Sequence, residues 1–240
     1  MLIHGFTQTA ASWDDVVDRL PTGFDVVCPE LPGHGREAET RRDFVATATA
    51  IGTAGGTGLY VGYSMGGRLA LQLALEAPRL VRGLVVLGAS PGLERPEDRA
   101  QRRGADELLA TEIEDDGVET FLARWLAQPL FASVPPTAAG LAARADNTAD
   151  GLASALRSLG SGAQPSRWHD LARLSMPVLL VAGGNDTKFT AIADEMAELI
   201  GDNAQATVIP GVGHAAHLEA PETFVRLVTD FAREVEGRER

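Results

Sequence analysis

The chain has 240 residues, of which 45% are hydrophobic and 22% are charged, proportions that are usual for a globular protein. Its formal net charge of −12 argues against nucleic acid or an anionic membrane as a partner. Cys28 is the only cysteine, so neither an internal disulfide nor a cysteine-based metal site is expected. No apolar run approaches the ~20 residues that span a bilayer, and the apolar start of the chain is too short for a signal peptide. We therefore expect a cytoplasmic protein, monomeric or weakly self-associating, that uses no metal or other cofactor.

Short apolar runs that are rich in β-branched residues predict a buried parallel sheet. These runs are continuous rather than alternating, as expected where helices cover both faces of a sheet. In chain order they lie at 1–3, 25–28, 59–63, 84–88, 178–182 and 206–209. Helical patterns lie between them, the clearest over 221–235, so the sequence predicts a doubly wound α/β fold.

The segment His4-Gly5-Phe6 follows the first predicted strand. We interpret it as a tight loop whose backbone faces the edge of the sheet. The Phe6 N–H would then be available to stabilise negative charge in an oxyanion hole. A simple turn without a functional role fits the same residues.

A Gly-x-Ser-x-Gly signature is centred on Ser64, between an apolar strand and a helix-forming run. In this setting the signature predicts a nucleophile elbow, in which the serine stands on a sharp turn at the sheet edge. Gly62 and Gly66 would leave room for neighbouring backbone to approach closely. The Met65 N–H, directly after the serine, would supply the second donor of the oxyanion hole.

The alternation of strands and helices stops between residues 94 and 168. No convincing strand occurs there, and helical spacing is followed by Val118, Phe121, Leu122, Trp125 and Leu126. We predict a helical cap that is inserted over the strand ends, where ligands bind in such folds. The core domain would then comprise residues 1–93 and 169–240.

Several arginines could reach a site beneath this cap. Arg68 begins the helix after Ser64, and the cap contributes Arg99, Arg102, Arg103, Arg124 and Arg144. Because arginine binds carboxylates through two parallel hydrogen bonds, such a cluster would favour a small substrate with several carboxylates. The alternative is that these arginines lie on solvated helix faces.

Asp186 and His214 each follow a predicted strand, in the order Ser, Asp, His that the elbow signature requires. Parallel strand ends share one edge, so both side chains should meet Ser64 there. His214 would accept the serine proton, and Asp186 would orient the imidazole. His217 is the alternative base, although we expect it to support the loop, and His34 is expected to be structural or solvent-facing.

The sequence resembles the 2-succinyl-6-hydroxy-2,4-cyclohexadiene-1-carboxylate synthases of menaquinone biosynthesis, which belong to the α/β-hydrolase superfamily. The resemblance covers nearly the whole chain, includes the segment 213–219, and has its more specific motifs at 62–68, 90–93, 121–125 and 186–189. Two departures are Gly184-Asn185 before the aspartate and a first strand that begins at Met1, interpreted as a naturally short or a truncated start.

The resemblance implies an α/β-hydrolase fold and a lyase that eliminates pyruvate by means of Ser64, Asp186 and His214. The substrate contacts that it implies are Tyr63, Arg68, Arg102, Trp125 and Arg144. Two other functions remain open from the residues themselves. One is a serine esterase or carbon–carbon bond hydrolase that acts through an acyl-enzyme, and the other is a binding module without catalysis.

Overall fold

The computed structural model describes residues 1–135, 137–138 and 140–238. Its centre is a sheet of parallel strands that lie side by side in chain order. The strands are β1 (Leu2–Ile3), β2 (Gly58–Tyr63), β3 (Val81–Leu87), β4 (Val178–Gly183) and β5 (Ala204–Ile209). The three middle strands are mostly buried, which explains why their sequences are apolar on both faces.

Helices cover both faces of this sheet. They are α1 (Asp14–Arg19), α2 (Phe44–Gly55), α3 (Met65–Glu76), α4 (Pro96–Leu126), α5 (Leu141–Ala145), α6 (Ala149–Leu159), α7 (Thr187–Ile200), α8 (Ala216–Glu219) and α9 (Pro221–Arg238). Leu84 of β3 packs with Leu69 of α3 in one apolar cluster, whereas its neighbour Val85 packs with Phe224 of α9 in another. Successive strand residues point to opposite faces, so two cores form. The doubly wound α/β class is confirmed.

Five of the six predicted strands are present with shifted ends, and the predicted strand at 25–28 is wrong. This segment runs beside β1, where the Leu2 N–H donates to the Val27 carbonyl oxygen at 2.9 Å. Because β1 has only two residues, it offers too little edge for a ladder. Val27 is also 43% exposed, so the segment gains little from burial.

Between β3 and β4 the described residues form helices and no strand. α4 changes direction at Gly117, where φ is 78°, and it packs against α6 around Phe121 and Leu156. Phe6, just beyond the carboxyl end of β1, packs against the same cluster. The inserted helices therefore lie over the strand ends, while the domain boundaries at 94 and 168 stay a prediction. No helix within the described ranges is both long and apolar enough to cross a bilayer.

Candidate active site

Ser64 occupies a strained turn between β2 and α3. Its φ of 50° and ψ of −109° lie in a region that residues with a side chain rarely adopt. The turn is compact because Gly66 faces the backbone of β1: a Cβ atom at Gly66 would lie 2.1 Å from the Ile3 carbonyl oxygen. The Ser64 hydroxyl makes no capping bond to α3, so it remains directed at the edge of the sheet.

A chain of hydrogen bonds connects Ser64 to His214 and Asp186. The His214 Nδ1–H donates to Asp186 Oδ2 at 2.6 Å, and the Ser64 hydroxyl donates to His214 Nε2 at 3.3 Å. This tautomer follows from the carboxylate, which can only accept a hydrogen bond. Asp186 also accepts from the Phe189 N–H at 3.3 Å, and the Phe189 ring lies 4.8 Å from the imidazole. The three side chains come from three loops that follow β2, β4 and β5.

The structure places His217 away from Ser64, in a buried stack between two aromatic rings. Its imidazole centroid lies 4.6 Å from that of Trp13 and 4.3 Å from that of Tyr63. Gln8 Nε2 donates to His217 Nε2 at 3.3 Å. Burial, together with the nearby positive charges, holds the pKa of His217 well below its ordinary value, so the ring stays neutral.

The loop that carries Phe6 is held from several sides. Thr7 has a positive φ of 66°, its N–H donates to His34 Nε2 at 3.3 Å, and its carbonyl accepts from Asn147 Nδ2 at 2.9 Å. Burial lowers the pKa of His34 to about 3, which keeps this imidazole neutral and able to accept. Gln8 Oε1 accepts from the N–H of the preceding loop glycine at 2.9 Å.

These contacts hold the Phe6 loop at the cavity that contains Ser64. Met65 is the first residue of α3, and first-turn amides have no acceptor within their own helix. Phe6 and Met65 both line the cavity that contains Ser64. The geometry is therefore compatible with the predicted pair of backbone donors.

The cavity has a volume of about 590 Å³, within the range of ligand sites of ~300–1,000 Å³. Of the predicted contacts, Tyr63, Arg68, Arg102 and Trp125 line it. The Trp125 indole Nε1 is buried at its wall and has no hydrogen-bond partner among the described residues. Among the residues that the structure describes, no group of three His, Cys, Asp or Glu side chains could hold a metal ion.

Arg68 supplies a buried positive charge to this cavity. The residue is only 7% exposed, and its guanidinium donates to Gln164 Oε1 at 3.4 Å. Burial and the neighbouring Arg102 lower the pKa of Arg68 to about 10, so it remains charged at neutral pH. In the described residues it forms no ion pair, which leaves the guanidinium available for an anionic ligand.

Arg144 does not lie in the cavity of Ser64. It is 4% exposed, donates to the Thr7 hydroxyl, and lines an adjacent cavity of about 410 Å³. The short helix α5 thus directs Arg144 to the back of the Phe6 loop. Three further cap arginines also miss the cavity: Arg99 and Arg103 donate to backbone carbonyls, and Arg124 pairs with Asp116.

The sequence reasoning missed several residues of the cavity wall. The structure adds Lys188, Phe189, Gln128 and Phe131. Nothing in the sequence distinguishes an aromatic residue of the cavity wall from one of the hydrophobic core. Lys188 does carry one, because it is the only lysine of the chain.

Comparisons with known proteins identify the family and several relatives of this chain. A family model described as "Alpha/beta hydrolase family" matches residues 1–227. A Bacillus subtilis protein, provisionally named 2-succinyl-6-hydroxy-2,4-cyclohexadiene-1-carboxylate synthase, is 33% identical over 95% of this chain and 88% of its own length. A Salmonella typhimurium protein named as the same synthase is 32% identical over 97% of this chain and 93% of its own length.

A solved structure described as MenH from S. aureus is 28% identical and superposes with a TM-score of 0.91. The match covers 98% of this chain and 94% of that one. The resemblance drawn from the sequence motifs is therefore confirmed at the level of whole chains and of the fold.

Proposed function

This chain belongs to the alpha/beta hydrolase family, and we propose that it is the lyase that eliminates pyruvate from 2-succinyl-5-enolpyruvyl-6-hydroxy-3-cyclohexene-1-carboxylate. The product would be 2-succinyl-6-hydroxy-2,4-cyclohexadiene-1-carboxylate, the compound in the names of its relatives. This is a reaction of menaquinone biosynthesis. It requires a base, a site for enolate charge and cations for carboxylates.

The observation that carries the proposal is that one cavity contains both a hydrogen-bonded serine–histidine pair and a buried arginine that forms no ion pair among the described residues. Ser64 and His214 line the same space as Arg68. A hydrolase of neutral esters has no need for a desolvated guanidinium beside its nucleophile. A substrate with several carboxylates does, because a buried cation binds an anion through strong charge-assisted hydrogen bonds.

The names of substrate and product locate the chemistry on the ring. The substrate has its double bond at carbon 3, whereas the product has double bonds at carbons 2 and 4. The proton therefore leaves carbon 2, next to the succinyl carbonyl, and the carbon–oxygen bond breaks at carbon 5. The electron pair of the broken C–H bond moves through the ring, and the leaving group departs as pyruvate enolate, which then takes up a proton.

Ser64 acts as the base in this proposal. His214 Nε2 takes the hydroxyl proton, and Asp186 stabilises the imidazolium through the bond at Nδ1. The resulting alkoxide removes the ring proton without attacking a carbonyl. Negative charge develops on the succinyl carbonyl oxygen, where the Phe6 and Met65 N–H groups stabilise it.

Arg68 and Arg102 bind carboxylates of the substrate on the wall beneath α4. Trp125 contributes its indole N–H, and Tyr63 packs against His214 with the ring centroids 5.3 Å apart. Arg144 acts indirectly in this proposal. It donates a hydrogen bond to the Thr7 hydroxyl and thereby positions the neighbouring Phe6 amide.

The test supplies the succinyl-enolpyruvyl substrate and follows pyruvate with a coupled dehydrogenase. Wild type should release pyruvate in a saturable reaction, and Ser64→Ala should lower kcat by roughly 10²–10⁴-fold, as expected for loss of a positioned base. Ser158→Ala is a matched control, because its hydroxyl lies on α6 and donates to the Ser154 carbonyl oxygen. Absence of pyruvate release by the wild type would refute the proposal.

The competing function is a serine hydrolase with an acyl-enzyme intermediate. Mass spectrometry of the protein mixed rapidly with small esters separates the two mechanisms. Our proposal expects an unmodified protein and slow, unsaturable ester turnover. A stoichiometric acyl adduct on Ser64, with turnover faster than pyruvate release, would favour the hydrolase instead.

A further inference from the structure

Lys188 is the only lysine among the 21 lysine and arginine residues of the sequence. Every other basic position of this type is arginine, including the exposed positions that usually accept either residue. Lysine differs from arginine in presenting a compact ammonium on a flexible stem rather than a rigid, planar fork. The single lysine is therefore a position where these properties are expected to matter.

This residue lies at the active site. Lys188 is the second residue of α7, directly after the loop that carries Asp186, and it lines the cavity of Ser64. Its Nζ lies 5.3 Å from the centre of the Phe189 ring, and that ring lies 4.8 Å from the His214 imidazole. The ammonium thus stands on the His214 side of the cavity, and its side chain is exposed.

The other two cations of the cavity form a separate group. Arg68 and Arg102 are close enough for the charge of one to lower the pKa of the other. Arg102 also donates to Asp106 Oδ1 at 2.7 Å, on α4 of the inserted helices. Lys188 comes from a different part of the fold, the core helix α7 after β4, and it forms no ion pair within the described ranges.

The substrate of the proposed function has matching groups, on which this inference depends. It carries a carboxylate on ring carbon 1, a second one on the succinyl arm of carbon 2, and a third on the enolpyruvyl group. The first two lie on neighbouring carbons, whereas the enolpyruvyl group is attached to carbon 5, across the ring from carbon 2. When the proton of carbon 2 faces Ser64, the carboxylates of carbon 1 and of the succinyl arm lie at one end of the ring. The enolpyruvyl carboxylate lies at the opposite end, at carbon 5.

We infer that the Lys188 ammonium binds the carboxylate of the enolpyruvyl leaving group. Arg68 and Arg102 then take the carboxylates that stay on the product. As the carbon–oxygen bond breaks, an electron pair moves onto the departing enolate next to the ammonium, so the attraction grows in the transition state. An exposed, single-point cation also lets pyruvate leave toward solvent, which a buried bidentate arginine would hinder.

The first test compares pyruvate release by wild type, Lys188→Gln, Lys188→Arg and Arg226→Gln. Arg226 is an exposed residue of α9, so Arg226→Gln removes the same charge at a position away from the site. Lys188→Gln should lower kcat/KM by about 10- to 100-fold, with part of the loss in kcat, as for loss of a hydrogen bond to a charged group. Lys188→Arg should recover most of it, and Arg226→Gln should match wild type.

The second test identifies the carboxylate by inhibition with pyruvate and with succinate, which represents the succinyl arm. Lys188→Gln should raise the inhibition constant of pyruvate about tenfold or more and leave that of succinate unchanged. Equal weakening of both, weakening of succinate alone, or unchanged kcat/KM in Lys188→Gln would overturn the inference. Those results refer to a wild type that releases pyruvate, whereas a wild type without release refutes the proposed function itself.

Discussion

The sheet edge around Ser64 and the outer face of the inserted helices use charged residues in opposite ways. At the edge, the side chains of His214 and Asp186 are 3% and 6% exposed, and each faces a defined partner. On the outer face of the insertion, Arg157 pairs with Glu107 and Glu114, and the three side chains are 35% to 56% exposed. Both are short contacts between opposite charges, yet their surroundings differ completely.

Exposure to solvent determines how strong and how specific each contact is. A buried pair is weakly screened and cannot exchange its partner for water, so it fixes tautomer and orientation. An exposed pair competes with water and salt and contributes little to stability. We therefore propose that the sheet edge performs the chemical step and that the inner face of the insertion binds the substrate, whereas the outer face of the insertion does neither.

The largest effect is expected from Asp186→Asn at the sheet edge. An amide at this position can donate a proton, so it favours the His214 tautomer with hydrogen on Nε2, which cannot accept from Ser64. We expect kcat for pyruvate release to fall roughly 10²–10⁴-fold with a much smaller change in KM. Steady-state kinetics and circular dichroism of the folded variant check this.

Asp194→Asn is the matched control, because Asp194 is exposed on the same helix, α7. It should behave as wild type. A kcat for Asp186→Asn within a few-fold of wild type would mean that the carboxylate does not set the imidazole tautomer.

The positions at the sheet edge could be predicted from the sequence because they depend on short-range patterns. Ser64, Asp186 and His214 each follow an apolar run, and parallel strands bring their carboxyl ends to one edge whatever the loops do. The pairing in the structure follows from that rule. Even the strained conformation of Ser64 is encoded locally, by the flanking Gly62 and Gly66.

The walls of the cavity could not be predicted in the same way. Arg102 and Arg99 lie on the same helix, α4, and the sequence does not distinguish them. Because of the way α4 packs against α6, only Arg102 lines the cavity. Arg144 reaches Thr7 across a separation of 137 positions. Tertiary packing decides such contacts, just as the brevity of β1, rather than local propensity, prevents a strand at 25–28.

The inner face of the insertion provides the second prediction, Arg102→Gln. Glutamine retains an N–H donor for the buried Asp106 but removes the charge that would bind a carboxylate. We expect KM for the succinyl-enolpyruvyl substrate to rise about 10- to 100-fold, as for loss of a charged hydrogen bond, with a smaller change in kcat.

Arg99→Gln tests whether position on the helix, rather than charge alone, matters. Arg99 donates to the Leu93 and Glu94 carbonyl oxygens, both at 2.7 Å, outside the cavity. The KM of the Arg99→Gln variant should equal that of wild type. Equal increases in KM for both variants would indicate a general effect of the positive field and not a binding contact.

The smallest effect is expected from Arg157→Gln on the outer face. The Arg157 guanidinium donates to both Glu107 and Glu114 and lowers the pKa of each carboxyl below the ordinary 4.5. A carboxyl with a lowered pKa stabilises the fold above that ordinary value and loses this contribution as the pH falls through the lowered one. Because all partners are exposed, the stabilisation is small, and kcat and KM should not change.

Urea unfolding of wild type and Arg157→Gln at neutral and acidic pH measures this contribution directly. The variant should unfold at slightly lower urea at pH 7, and the two midpoints should converge as the pH falls below the lowered pKa values of both glutamates, where these carboxyls are protonated in both states. A difference that persisted or grew in acid would mean that Arg157 acts through the packing of its stem between α4 and α6 and not through its charge. A loss of activity would mean that the outer face of the insertion affects the chemistry in the cavity.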